Sequence, residues 1–288
     1  MLRALTSGVS GIQQFQNALD VIGNNIANSN TIAFKAARSD FADAFSQTLQ
    51  VSSASSSGAG NPGMQVGSGV STAAVRNMYT QGALNRTGVG TDLSISGDGF
   101  FMVRDPISNI QYATRAGDFR LDDQGYLVTN KGLRVQGFTD VGLTTRGDIQ
   151  IDAKQRPPAP VSQTSEMTNF AVGKDGKINV NLQTGEQYVR GQVLLQSFRD
   201  PQALLKEGDN LYSGIGAAGP LGGTASPQTE APQSNGLGAI EASSLELSNV
   251  DLANEFASLI TTQRGFQANA RIITTSDEIL QELVNLKR

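Results

Sequence analysis

LANEFASLITTQRGFQANARIITTSDEILQELVNL, residues 252–286, places Leu252, Leu259, Phe266, Ile273 and Leu280 at intervals of seven. Phe256, Ala270 and Val284 fill part of a second rail. Such a ladder describes a helix with one apolar stripe of coiled-coil period. The opposite end repeats the pattern in LTSGVSGIQQFQNALDVIGNNI, residues 5–26, with Leu5, Ile12, Leu19 and Ile26 as its ladder and Leu2 and Val9 beside it. A stripe of this kind needs a partner. It is either the other end of the same chain alone, as an antiparallel helix pair stapled onto another domain, or that end together with the ladders of neighbouring copies.

Between the helices the period changes. Helix is predicted over 2–28, with Gly23-Asn24-Asn25 a weak point near its end. Phe34, Phe41 and Phe45 then offer apolar anchors, and Ser52 to Gly69, rich in Ser and Gly, reads as a loop or extended arm. From about Val70 short strands are expected. Leu93 and Ile95, then Phe101 and Val103, are read as alternating with polar residues as half-buried strands require, and further strands are expected over 188–198 and around 210–212. Gly97-Asp98-Gly99, Asp122-Asp123-Gln124-Gly125, Asn130-Lys131-Gly132 and Lys174-Asp175-Gly176 supply turn chemistry between them. Pro157, Pro158 and Pro160 mark a linker or edge loop. Gly, Ala, Pro and Ser dominate again from 214 to 238, after which Ser248 or Asn249 is placed to cap the last helix, with Asp251 and Glu255 at its positive end. The fold class is therefore α+β, with terminal helices and a mainly antiparallel β domain.

Composition narrows the function. The 288 residues contain no His, Cys or Trp, which removes the imidazole base, the thiolate nucleophile and ordinary zinc, haem or iron–sulfur sites. A net charge of -4 without a basic run excludes a phosphate-backbone footprint, so no nucleic-acid partner is expected. No apolar run is long enough for a membrane span. Gln13, Gln14, Gln16 and Asn17 interrupt any secretory signal, so an exported chain would keep its N-terminus. Gly88-Val89-Gly90 opens like a dinucleotide fingerprint, but Leu93 stands where the third glycine belongs. Asp98, Asp118, Asp122 and Asp123 fall beside glycine or in turns, where Asp bonds its own backbone. No catalytic residue, metal or cofactor is expected.

Three passages resemble the axial proteins of the bacterial flagellum, the rod and hook subunits. LDVIGNNIANSNTIAFKAARSDFAD, residues 19–43, resembles the family's N-terminal signature, with Asn24, Asn25, Asn28, Phe34 and Lys35 on the pattern. YTQGALNRTGVGTDLSISGDGFFMV, residues 79–103, resembles its β-domain entry through Gln81, Gly82, Asp92, Gly97, Gly99, Phe100 and Phe101. The C-terminal block matches at Ser248-Asn249-Val250-Asp251, Gln263-Arg264 and Asn269. DVIGNNIAN and NPGMQVGSGV, residues 61–70, are similar to hook wording, although only about thirty residues separate Phe138 from Phe170, too few for the extra outer domain of many hook subunits.

The resemblance implies a layered architecture. Residues 1–29 and 250–288 would form an inner coiled-coil layer, 30–70 and 237–249 a connecting arm, and 71–236 an outer β domain. It implies a structural subunit of the flagellar hook, a hollow flexible tube that transmits motor torque, with distal rod protein as the alternative. It further implies homopolymerisation through Leu5, Ile12, Leu19, Ile26, Leu252, Phe256, Leu259, Phe266, Ile273 and Leu280. The other implied partners are distal rod, hook cap, hook–filament junction and export proteins. The implied place is extracellular, in the hook or basal body.

Overall fold

The computed structural model describes residues 2–52, 63–140, 142–151, 167–221 and 229–286. Its folded chain is α+β and divides into two compact units. Met1–Ser29, Ala36–Met78 and Val250–Arg288 form unit 1, and Asn30–Lys35 with Tyr79–Asn249 form unit 2. The arm expected over 30–70 and 237–249 is thus shared out, with 36–70 in unit 1 and 30–35 and 237–249 in unit 2.

Unit 1 holds two long helices, α1 (Leu2–Ala27) and α2 (Leu252–Leu286). The Gly23-Asn24-Asn25 step does not break α1, which runs on to Ala27 and is closed by Asn28, whose side-chain amide donates to the Asn24 carbonyl at 2.9 Å. At the start of α2 the cap is Asp251, not Ser248 or Asn249. Its Oδ1 accepts from the Ala253 amide at 2.9 Å and the Asn254 amide at 3.4 Å. Asn249 is committed elsewhere, donating to Thr80 Oγ1 at 2.9 Å.

Two antiparallel hairpins complete unit 1. Ala37–Asp43 pairs with Val70–Asn77, and Ser46–Gln50 pairs with Met64–Gly67, so part of the predicted loop is strand. The remainder of that segment, with Asn61-Pro62, lies outside the described residues, as do Pro157, Pro158 and Pro160. Gly69 adopts φ +119° where a Cβ would fall 2.2 Å from Ser10 Oγ on α1, so the hairpin can lie this close only with glycine there. Phe41 meets Phe15 edge-on at 6.2 Å, but Phe45 is 83% exposed and anchors nothing among the described residues.

Unit 2 is a β domain. Its main sheet runs, antiparallel throughout, in the order Met167–Val172, Lys177–Leu182, Gln187–Val193, Arg134–Phe138, Phe100–Arg104, Gln111–Thr114, Leu211–Ser213, Leu205–Gly208. Leu93–Ser96 pairs with Ala239–Ala242, and Leu84–Arg86 with Ser244–Glu246. The strand Phe100–Arg104 was expected to be half-buried, yet both its faces are covered. Phe101 and Val103 join the large core with Leu93, Ile95 and Ile178, while Phe100 and Met102 join a second cluster with Phe198 and Tyr212. The run Phe-Phe-Met-Val is what burial on two faces requires.

Candidate assembly surface

The two helices of unit 1 meet along small residues. A Cβ added at Gly8 would touch Ile272 and Ile273, at Gly11 it would meet the Asn269 side chain at 2.5 Å, and at Gly265 the Phe15 ring at 2.7 Å. These pairs, with Asn25 bonded to Glu255, rise along α1 as they descend α2, so the helices are antiparallel. On α1 the buried line is Gly8, Gly11, Ala18 and Asn25. Removing side chains from this line brings the backbones together, as ridge-and-groove packing of helices allows.

The apolar ladder lies beside that line. Ile12, Leu19 and Ile26 each follow a buried residue by one position, about 100° around the helix. They and Leu5 are therefore half-buried, and so are Leu259, Phe266, Ile273 and Leu280 on α2. Leu252 and Phe256 are exposed, the latter by 50%. Ile260, Ile272, Ile279, Leu283 and Val284 are exposed with them. Leu252, Phe256 and Ile260 lie on one flank of the half-buried ladder and Ile272, Ile279 and Leu283 on the other, and exposed apolar residues in this number on a long helix mark an interaction surface. Ile260, Ile272, Ile279 and Leu283 were missed in the sequence, although Leu252, Phe256 and Ile260 follow one another at helical spacing of four.

The Asn-rich end of α1 is a brace. Asn25 is 2% exposed, and its amide oxygen accepts from the Ala37 amide at 3.0 Å while its nitrogen donates to the Ala37 carbonyl at 2.8 Å and to Glu255 Oε1 at 3.2 Å. Burial raises the Glu255 carboxyl above its ordinary 4.5; the Asn25 bond opposes this and Asp251 adds to it. Asn28 also donates to Asn24 Oδ1 at 3.0 Å. Gln263 is exposed on α2.

Unit 2 carries a buried ionic centre. Lys35, fully enclosed, donates from Nζ to Glu246 Oε1 at 2.6 Å and to the Thr80 carbonyl at 2.8 Å. Glu246 Oε1 also accepts from the Gly82 amide at 2.8 Å, and Oε2 lies 3.5 Å from Arg115, itself 3% exposed. Burial holds the Lys35 ammonium below its ordinary 10.5, the bond to Glu246 offsetting part of the effect. Phe34 is buried under the Lys206 ammonium, 3.9 Å from the ring centroid. Sequence matching singled out Phe34, Lys35 and Asn249 but not Glu246, whose partner is 211 positions away.

The acidic residues considered as ligands build turns or pair locally. Asp122 accepts from the Asp123 amide at 2.9 Å and, through its carbonyl, from the Gly125 amide at 2.7 Å, while Asp118 accepts from Asn130 at 2.5 Å. Among the described residues no three acidic side chains are grouped to hold a metal, and no helix is long and apolar enough to cross a membrane.

Three family profiles match the chain: the flagellar hook protein FlgE/F/G D1 domain over residues 94–180, the flagellar basal body rod FlgEFG protein C-terminal region over 241–286, and the flagella basal body rod protein over 5–35. The chain is 42% identical over 289 positions to the flagellar basal-body rod protein FlgG of Bacillus subtilis, covering 100% of both. It is 33% identical to the FlgG of Caulobacter vibrioides, covering 99% of this chain and 100% of that one. With the flagellar hook protein FlgE of Borreliella burgdorferi it shares 28% over 453 positions, covering 100% of both. The chain belongs to the rod and hook protein family of the bacterial flagellum, and is a structural protein, not an enzyme.

Proposed function

We propose that this chain is the distal rod subunit of the flagellar basal body, polymerising into a straight tube that carries motor torque outward. The observation that carries this is length. Rod proteins align end to end with it over 289 positions, whereas the hook protein needs 453, so the hook protein's extra segments have no counterpart here. This favours the rod over the hook that the DVIGNNIAN wording suggested. Contacts between successive copies do not close on themselves and so extend into a helical polymer. The apolar face of α1 and α2, with Leu5, Ile12, Leu19, Ile26, Leu252, Phe256, Leu259, Phe266, Ile273 and Leu280, is the surface we assign to neighbouring copies. Rod, hook and export proteins are its further partners.

Complementation tests the assignment. The gene should restore motility to a strain lacking its distal rod protein and fail in one lacking its hook protein; the reverse result returns the hook. Leu259→Asp and Phe266→Asp test the surface. A carboxylate there is half-hydrated in the single chain but buried on assembly, where it costs several kcal/mol. Electron microscopy should show no tubes from either variant while unit 2 unfolds as in the parent; normal tubes would move the interface elsewhere.

A further inference from the structure

The chain passes between the units four times, at Ser29/Asn30, Lys35/Ala36, Met78/Tyr79 and Asn249/Val250. On the unit 2 side, the segments at these crossings are fastened to one another. The Ala33 amide donates to the Glu246 carbonyl at 2.8 Å, the Leu247 amide to the Ala83 carbonyl at 2.8 Å, and the Asn249 amide to the Phe34 carbonyl at 3.4 Å. Asn249 Nδ2 reaches the Thr80 carbonyl at 3.2 Å, and Asn210 Nδ2 reaches the Ile32 carbonyl at 2.6 Å. Gly82 is packed so tightly that a Cβ would lie 2.0 Å from the Leu247 carbonyl oxygen. At the middle sit Lys35, Glu246 and Arg115, one from each of two of these segments and one from the sheet domain.

This centre is poorly explained as a source of stability. It buries two cations against one carboxylate, and Arg115 Nε and the Tyr212 hydroxyl have no hydrogen-bond partner among the described residues. A well-packed apolar trio of similar volume would hold the fold as well or better. What an apolar trio lacks is direction. The carboxylate accepts from Lys35 and Gly82 on one oxygen and faces Arg115 with the other, so it defines one relative placement of the three segments.

We infer that Lys35, Glu246 and Arg115 are positioning residues for load. They tie the roots of all four crossings into one clamp, so that force arriving through any of them enters unit 2 as a whole. The inference rests on the rod reading for its purpose, but the clamp is measured on the purified chain whichever tube the chain builds.

Hydrogen exchange on the full-length monomer tests it. With Lys35→Met, Arg115→Met and Glu246→Met combined, the amides of Ala33, Gly82, Leu247 and Asn249 should exchange at least tenfold faster. Those of Leu127, Ile149 and Val193, bonded within the β domain, should hold. Unchanged protection at the four, or equal loss at all seven, overturns the clamp. Should the triple variant not fold, the parent protein decides. In low denaturant the four amides should open together with one denaturant slope, distinct from the sheet, and four separate slopes would overturn the proposal.

Discussion

Unit 2 finishes its own core and unit 1 does not. In unit 2, Leu93, Ile95, Phe101, Val103, Val135, Ile178 and Val193 are 0% exposed, and even its central ion pair is sealed from water. In unit 1 most ladder residues are half-covered, Leu252 and Phe256 are exposed, and Phe45 stands in solvent. The two units therefore draw their stability from different sources. Unit 2 is held by the apolar area it removes from water, while unit 1 leaves much of its apolar area exposed.

The units can be followed separately, because all five tyrosines, at 79, 112, 126, 188 and 212, belong to unit 2 and both long helices to unit 1. The largest effect is expected for Glu246→Leu, which leaves Lys35 and Arg115 buried without the carboxylate they share and costs about 3–5 kcal/mol. Urea unfolding followed by tyrosine fluorescence should show it; an unmoved midpoint would mean that unit 2 is not the self-contained half.

Asp148 gives a smaller, pH-dependent effect. Burial pushes its carboxyl up, but hydrogen bonds from Arg104 at 2.7 Å, Gln136 at 2.5 Å and Arg134 at 3.2 Å bring it below the ordinary 3.8. The folded state therefore binds the proton less readily than the unfolded state. Its contribution is complete above about pH 4 and is lost as pH falls through the folded value. Asp148→Asn should cost about 2 kcal/mol at pH 7, and the gap to the parent should narrow below pH 4. A gap that is constant with pH would assign the loss to packing.

The smallest effect contrasts two glycines of unit 1. No described residue lies within 4 Å of a Cβ at Gly23, whereas one at Gly265 would press into the Phe15 ring. Gly23→Ala should gain about 0.5–1 kcal/mol of helix stability, and Gly265→Ala should lose it, both read from helical circular dichroism. Equal gains would mean that the helices do not pack through this seam.

Periodicity was a good guide to which segments are helices and a poor guide to where they touch. Seven-residue spacing found Leu5, Ile12, Leu19 and Ile26, but the contact line lies one residue back, in Gly11, Ala18 and Asn25. Small residues carry no hydropathy signal, and their role is to be absent from the gap. Turns such as Asp122 to Gly125 were legible because their bonds are local. The ionic centre was half-legible. Lys35 stood out by resemblance, but nothing near Glu246 announces a lysine that arrives from the far end of the chain.

That separation bears on the order in which the molecule can be made. The partners α1, ending at Ala27, and α2, beginning at Leu252, stand at opposite ends of the polypeptide. Any process that delivers the chain N-terminus first, from a ribosome or through a narrow conduit, presents α1 before and α2 after the whole of Tyr79–Asn249. Tyr79 to Asn249 has emerged in full before α2 does, and local hairpins let it begin closing its sheet. The helix pair must close a loop that contains all of unit 2 and wait for α2. The surface that would join one subunit to the next is therefore completed after unit 2, and a polypeptide still lacking α2 has no finished surface with which to associate too early.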